Sequence, residues 1–112
     1  MYSINIERKT LGNKLYRNVL HTTPNMQLVV MSLEKGETIP LEKHEGSQFI
    51  RVESGRGVAK TPKKKVLLKE GVSIIIPPNT PHFIYQTGDE PLKLYTVYAP
   101  PEHREGVKKR RV

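Results

Sequence analysis

Turn-forming residues interrupt this sequence every few positions, and that spacing constrains the fold more than any other feature. Gly12-Asn13, Pro24-Asn25, Lys35-Gly36, Glu45-Gly46, Ser54-Gly55-Arg56-Gly57, Thr61-Pro62, Glu70-Gly71, Pro77-Pro78-Asn79 and Gly88-Asp89 all read as turns. Between them lie short segments rich in Val, Ile, Thr, Tyr and Leu, at 2–7, 15–21, 27–33, 48–53, 66–69, 72–76, 82–87 and 92–98. No window carries an apolar stripe of helical period over three turns, so helices are expected to be minor. Strands of this length at this spacing predict an all-β sandwich or barrel.

With 112 residues, the chain is long enough for one domain with its own core. The absence of cysteine excludes a disulfide scaffold, a thiolate nucleophile and any cysteine-based zinc site. The longest apolar run, 72–78, is far too short to span a bilayer as a helix. The amino terminus lacks the basic-then-apolar order of a secretion signal, so a cytoplasmic location is expected. The net charge of +8 is local rather than general. Lys60, Lys63, Lys64 and Lys65 carry four of the excess charges, residues 104–112 carry the other four, and the remainder of the chain is neutral. Residues 1–103 therefore read as the domain and 104–112 as a basic tail.

Alternation along the strands places polar groups on inner faces. On an extended chain, Gln48, Ile50 and Val52 share one face, as do His82, Ile84 and Gln86. A buried amide or imidazole without a partner costs a few kcal/mol, so these groups need partners inside. Glu42 and His44, two residues apart, point the same way, and Gln48 follows with the same parity. His82 arrives from a second punctuated unit. Two imidazoles, a carboxylate and an amide oxygen suit Zn, Fe, Mn, Ni or Cu rather than Ca or Mg. Paired structural histidines are the alternative reading of the same spacing.

The surrounding residues add a family resemblance. Gly36, Glu42, His44, Gln48 and Gly55 stand at the spacing of the first cupin motif, G-x5-H-x-H-x(3,4)-E-x6-G. Gly71, Pro77, Asn79, His82 and Gln86 resemble the second, G-x5-P-x-G-x2-H-x3-N. The chain is similar over nearly its whole length to small single-domain cupins of the jelly-roll superfamily, of the kind described as mannose-6-phosphate-isomerase-like. The resemblance implies a single cupin β-barrel with one divalent transition ion held by Glu42, His44, Gln48 and His82. Zinc is expected first, with manganese, iron and nickel as alternatives. It departs from the motif at Glu42 (for histidine), Gln48 (for glutamate), Asn79 (for glycine) and Gln86 (for asparagine). A set of three histidines and a glutamate, as in cupin oxygenases, is therefore not what this chain carries.

Several other residues carry expectations. Gly36, Gly55, Gly57 and Gly71 are expected in turns with positive φ. Gln86 is expected to line the cavity or to orient a ligand. Phe49, Arg51, Phe83 and Tyr85 have outward parity, and the three aromatics suit a homodimer face. One of Tyr95 and Tyr98 could line a pocket, while His21 and His103 are expected to face solvent. Lys108, Lys109, Arg110 and Arg111 offer sequence-blind affinity for nucleic acid or a nuclear address. The leading functional expectation is a metal-binding cupin with a mouth site for a small polar or sugar-like ligand, with isomerase-type chemistry. A non-catalytic binding or accessory module, its metal structural or absent, is the alternative.

Overall fold

The computed structural model describes residues 1–110. One helix, α1 (Ile6–Gly12), precedes ten strands: β1 (Arg17–Thr22), β2 (Gln27–Leu33), β3 (Thr38–Glu42), β4 (Ser47–Ser54), β5 (Arg56–Lys60), β6 (Lys65–Leu68), β7 (Ser73–Ile76), β8 (His82–Thr87), β9 (Leu92–Ala99) and β10 (Lys108–Lys109). They form a six-stranded sheet ordered β10-β1-β2-β9-β4-β7 and a four-stranded sheet ordered β3-β8-β5-β6, antiparallel throughout. This is the all-β barrel expected from the turn spacing, in the jelly-roll form that the motif resemblance implies. No helix among the described residues is long and apolar enough to cross a membrane.

The core lies between the two sheets and follows the alternation. Leu92, Leu94, Thr96 and Tyr98 of β9 point inward with His82, Ile84 and Gln86 of β8. Val29, Met31, Ile50, Val52, Leu94 and Ile84 are almost wholly withdrawn from water. Each such side chain contributes roughly 1.5–3 kcal/mol. An unpartnered buried polar group costs about 1–3 kcal/mol. The apolar core can therefore carry several polar groups.

Five features differ from the sequence expectation. Segment 2–7 is not a strand, because Asn5 caps α1: its side chain accepts from the Arg8 amide at 2.9 Å. β3 was missed because it is an edge strand that tolerates Pro40 and buries little beyond Ile39. β5 was missed because it starts inside a glycine-rich turn. Gly57 lies in that strand without positive φ; a Cβ there would meet the Tyr85 carbonyl oxygen at 2.7 Å, so it permits close approach rather than a turn.

Residues 104–112 were expected to form a basic tail. Instead Val107 packs against the core, and its carbonyl accepts from the Val19 amide at 2.8 Å. Lys108 and Lys109 then pair with Asn18 and Arg17, and Lys109 lies over the Tyr16 ring. Arg110 is exposed, and Arg111 lies outside the described residues.

Candidate metal centre

Pairing of β3 with β8 builds the first half of the site. Ile39 stands opposite Ile84, so simple alternation would bring Leu41 opposite His82. A bulge between Ile39 and Glu42 shifts the register by one residue and sets Glu42 opposite His82. Leu41 is thereby turned out, 71% exposed, and the carboxylate is turned in. Directly opposed residues have Cβ atoms about 5 Å apart, close enough for their side chains to share one ion.

The loop after β3 brings His44. Its carbonyl accepts from the Asn79 amide at 2.7 Å, which ties the first motif to the loop that carries His82. Asn79 has φ of +58°, a left-handed conformation that asparagine tolerates better than most residues, so it can stand where the cupin motif has glycine. The His44 ring lies edge-on to Tyr98, with centroids 5.4 Å apart, and 5.2 Å from the His82 ring.

The donor atoms converge. Glu42 Oε1 lies 3.1 Å from His44 Nε2 and 3.4 Å from His82 Nε2. One donor atom from each of Glu42, His44 and His82 falls within 4.8 Å of the other two. His82 Nδ1 lies 2.9 Å from the Thr80 carbonyl, which can only accept. The ring proton is therefore on Nδ1, and Nε2 turns its lone pair towards Glu42. Burial opposes the charge on Glu42, but the contact with His82 and the charge and hydrogen bond of His44 outweigh it, so its pKa is lowered. Burial likewise opposes the charge on His82, but the contacts with Glu42 and Thr80 raise its pKa.

Gln48 of β4 faces the same interior and is buried. Its amide nitrogen donates to Thr96 Oγ1 at 3.0 Å, whereas its carbonyl oxygen has no protein partner. His44 Nδ1 and His82 Nε2 are likewise buried without a hydrogen bond. The Nε2 atoms of His44 and His82, the Glu42 carboxylate and the unpartnered amide oxygen of Gln48 fit a divalent transition ion.

Other expected residues lie elsewhere. Gln86 is satisfied by the fold: it accepts from the Gly36 amide and donates to the Gly88 and Glu90 carbonyls. It is thus a loop clamp at the far end of β8, not a cavity or ligand-orienting group. His103 is half-buried rather than solvent-facing, its ring 5.1 Å from Tyr98. Burial and the charge of Arg17 lower its pKa. Tyr98 is the tyrosine beside the site, and its pKa is raised by burial and by Glu42.

Sequence reasoning missed Glu102, whose Oε1 lies 3.0 Å from His44 Nδ1, too oblique for a hydrogen bond. No local signal marks it, since it follows two prolines in a segment without strand character. A cavity of about 540 Å³ reaches His82 past Ile76 and Thr80, with Lys60, Thr61 and Lys64 among its lining residues. A larger one, about 730 Å³, lies at the other end of β8 beside Thr87, away from these ligands.

The cupin-domain family model matches residues 29–98, and the chain belongs to the cupin family. It is 42% identical over 111 residues to an uncharacterized protein of Acanthamoeba polyphaga mimivirus, covering 95% of this chain and 69% of that one. The uncharacterized protein YrkC of Bacillus subtilis is 41% identical over 112 residues, which is 94% of this chain and 60% of YrkC. The chain thus spans 60–69% of the length of these two relatives. The crystal structure of BH2720 from Bacillus halodurans superposes with a TM-score of 0.93 at 37% identity, over 97% of this chain and 88% of that chain.

Proposed function

We propose that this cupin binds one divalent transition ion through Glu42, His44 and His82, with the Gln48 amide oxygen as a weaker fourth donor, and presents it to a small polar ligand. The observation that carries the reading is the convergence of three donor atoms from two separate motifs on one interior point. When bound, the ion supplies Lewis-acid polarisation of a ligand carbonyl or hydroxyl oxygen, the chemistry of the mannose-6-phosphate-isomerase-like type. Glu42 offsets one of its two charges and leaves the site attractive to an oxygen ligand carrying negative charge.

Cationic side chains nearby support an anionic or sugar-phosphate-like ligand. Lys60 and Lys64 line the cavity that reaches His82. Arg17, opposite the core residue Met31, points inward and leaves its buried Nε without a hydrogen bond. None of the three is ion-paired among the described residues.

Metal analysis tests the reading. Protein purified without chelator or nickel resin should carry one ion per chain, zinc ahead of manganese, iron and nickel. Protein that stays metal-free after incubation with all four ions would falsify it.

A homodimer belongs to the same proposal. Leu41 and Leu67 are largely exposed on the four-stranded sheet, which also carries the half-buried Phe83 and Tyr85 on its outward parity, whereas Phe49 lies on the six-stranded sheet and does not share that face. Pairing through that face would withdraw them from water. Light scattering should return twice the chain mass, and a monomer mass across a wide concentration range rejects the dimer.

A further inference from the structure

We infer that the C-terminal segment completes the metal centre, with Glu102 positioning His44 for the ion. The inference rests on the metal reading above and reaches a carboxylate outside the matched family segment 29–98.

The segment is built into place. Gln27, fully buried, uses both ends of its amide on it. Its Oε1 accepts from the amides of Glu102 and His103 at 3.2 and 2.9 Å, and its Nε2 donates to the His103 carbonyl at 2.7 Å. Three hydrogen bonds to two consecutive residues fix where Glu102 leaves the backbone. Upstream, the chain passes over the loop that carries His44. A Cβ at Gly46 would meet the Ala99 carbonyl oxygen at 2.3 Å, so glycine at 46 lets the two strands of chain touch. Downstream, Val107 closes the segment onto the core.

This anchoring brings a carboxylate to the back of a metal ligand. His44 Nε2 faces Glu42, and its Nδ1 faces Glu102 Oε1 at 3.0 Å. His82 is already held in the Nδ1-protonated form by the Thr80 carbonyl. In the metal-free chain His44 donates Nε2–H to the Glu42 carboxylate at 3.1 Å; an ion that takes Nε2 needs the ring proton on Nδ1, the position that the negative charge of Glu102 favours. Because the contact is oblique, Glu102 acts chiefly through its charge. A carboxylate behind a ligating imidazole fixes the tautomer and raises the basicity of the other nitrogen, an effect whose loss weakens metal affinity about 10- to 100-fold.

The test uses the full chain and two readouts. Nitrogen-15 spectra of labelled histidine, recorded on the metal-free protein at alkaline pH, report the neutral tautomer of His44. Chelator competition reports zinc affinity. The Glu102 side chain is 38% exposed, so Glu102→Ala should fold normally. Glu102→Ala should shift neutral His44 towards the Nε2-protonated tautomer relative to the wild type, with zinc affinity about 10- to 100-fold weaker. Glu102→Gln, which keeps an oxygen but loses the charge, should fall between. Glu105→Ala, an exposed acid on the same segment, should stay within about twofold of the wild type. A change in one readout without the other, no change in either, or an equal loss in Glu105→Ala overturns the inference. Wild-type protein that takes up no ion sinks the metal reading instead, and the tautomer alone then decides the role of Glu102.

Discussion

The two ends of the barrel interior bury polar side chains in opposite ways. At the far end of β8, Gln86 has protein partners for both its oxygen and its nitrogen. At the near end, His44 Nδ1, Gln48 Oε1 and His82 Nε2 lie buried without a hydrogen bond, the two nitrogens facing only the carboxylates of Glu102 and Glu42. Both ends place amides or imidazoles on the same inner surface, so residue type alone does not separate them. Saturation does. A group whose hydrogen bonds are complete holds loops together, whereas a cluster left incomplete at a cost of about 1–3 kcal/mol per atom is arranged for something that completes it.

Substitutions at the two ends should separate accordingly. The largest effect is expected for His82→Ala, which removes the only donor of the second motif: stoichiometric zinc uptake should be lost, measured by calorimetry and metal analysis. The near end would lose its distinction if stoichiometric metal survived the His44→Ala/His82→Ala double substitution. Gln48→Ala should weaken zinc binding less, because a neutral amide oxygen is a poorer donor than imidazole or carboxylate. At the far end, Gln86→Ala should leave metal affinity unchanged and lower stability in urea by about 1–3 kcal/mol, since it strands the Gly36 amide and two carbonyls. A metal defect in Gln86→Ala would collapse the comparison.

The smallest effect is the dependence on pH, and it differs in sign between folding and metal binding. In metal-free protein, the raised pKa of His82 adds stability that is full below the ordinary value of 6.5 and is lost as pH rises through the raised value. The lowered pKa of Glu42 adds stability that is full above its ordinary 4.5 and is lost as pH falls through the lowered value. The pair therefore contributes most between pH 4.5 and 6.5. The destabilisation caused by His82→Ala in metal-free protein should peak in that window, while that of Gln86→Ala should stay flat there. Zinc affinity should move the other way. It should begin to fall already above pH 6.5, because the raised pKa makes protons compete earlier for His82. Equal pH profiles for the two substitutions would remove the electrostatic part of the contrast.

Much of the barrel was legible because its information is local. Glycine, proline and asparagine pairs punctuate short β-rich segments, and strict alternation in β8 and β9 names their inward residues. The helix at Ile6–Gly12 was not legible as an apolar stripe, since seven residues make barely two turns; only the Asn5 cap announces it. The grouping of Glu42, His44 and His82 was legible through motif spacing, and one side-chain donor atom of each lies within 4.8 Å of the other two.

By itself, the sequence determined the β-strand periodicity, the two motif units and the types of donor they carry, because all of these rest on neighbours a few residues apart. Only the tertiary structure decided which side of β3 faces the interior. Parity carried forward from Ile39 would have put Leu41 inside, and one extra residue in the ladder reverses that choice. It also decided that the segment after Pro100 is docked on Gln27 with Glu102 beside His44. The hydrogen bonds that hold Glu102 and His103 come from Gln27, 75 and 76 positions earlier, and no pattern within a local window can register a partner that distant.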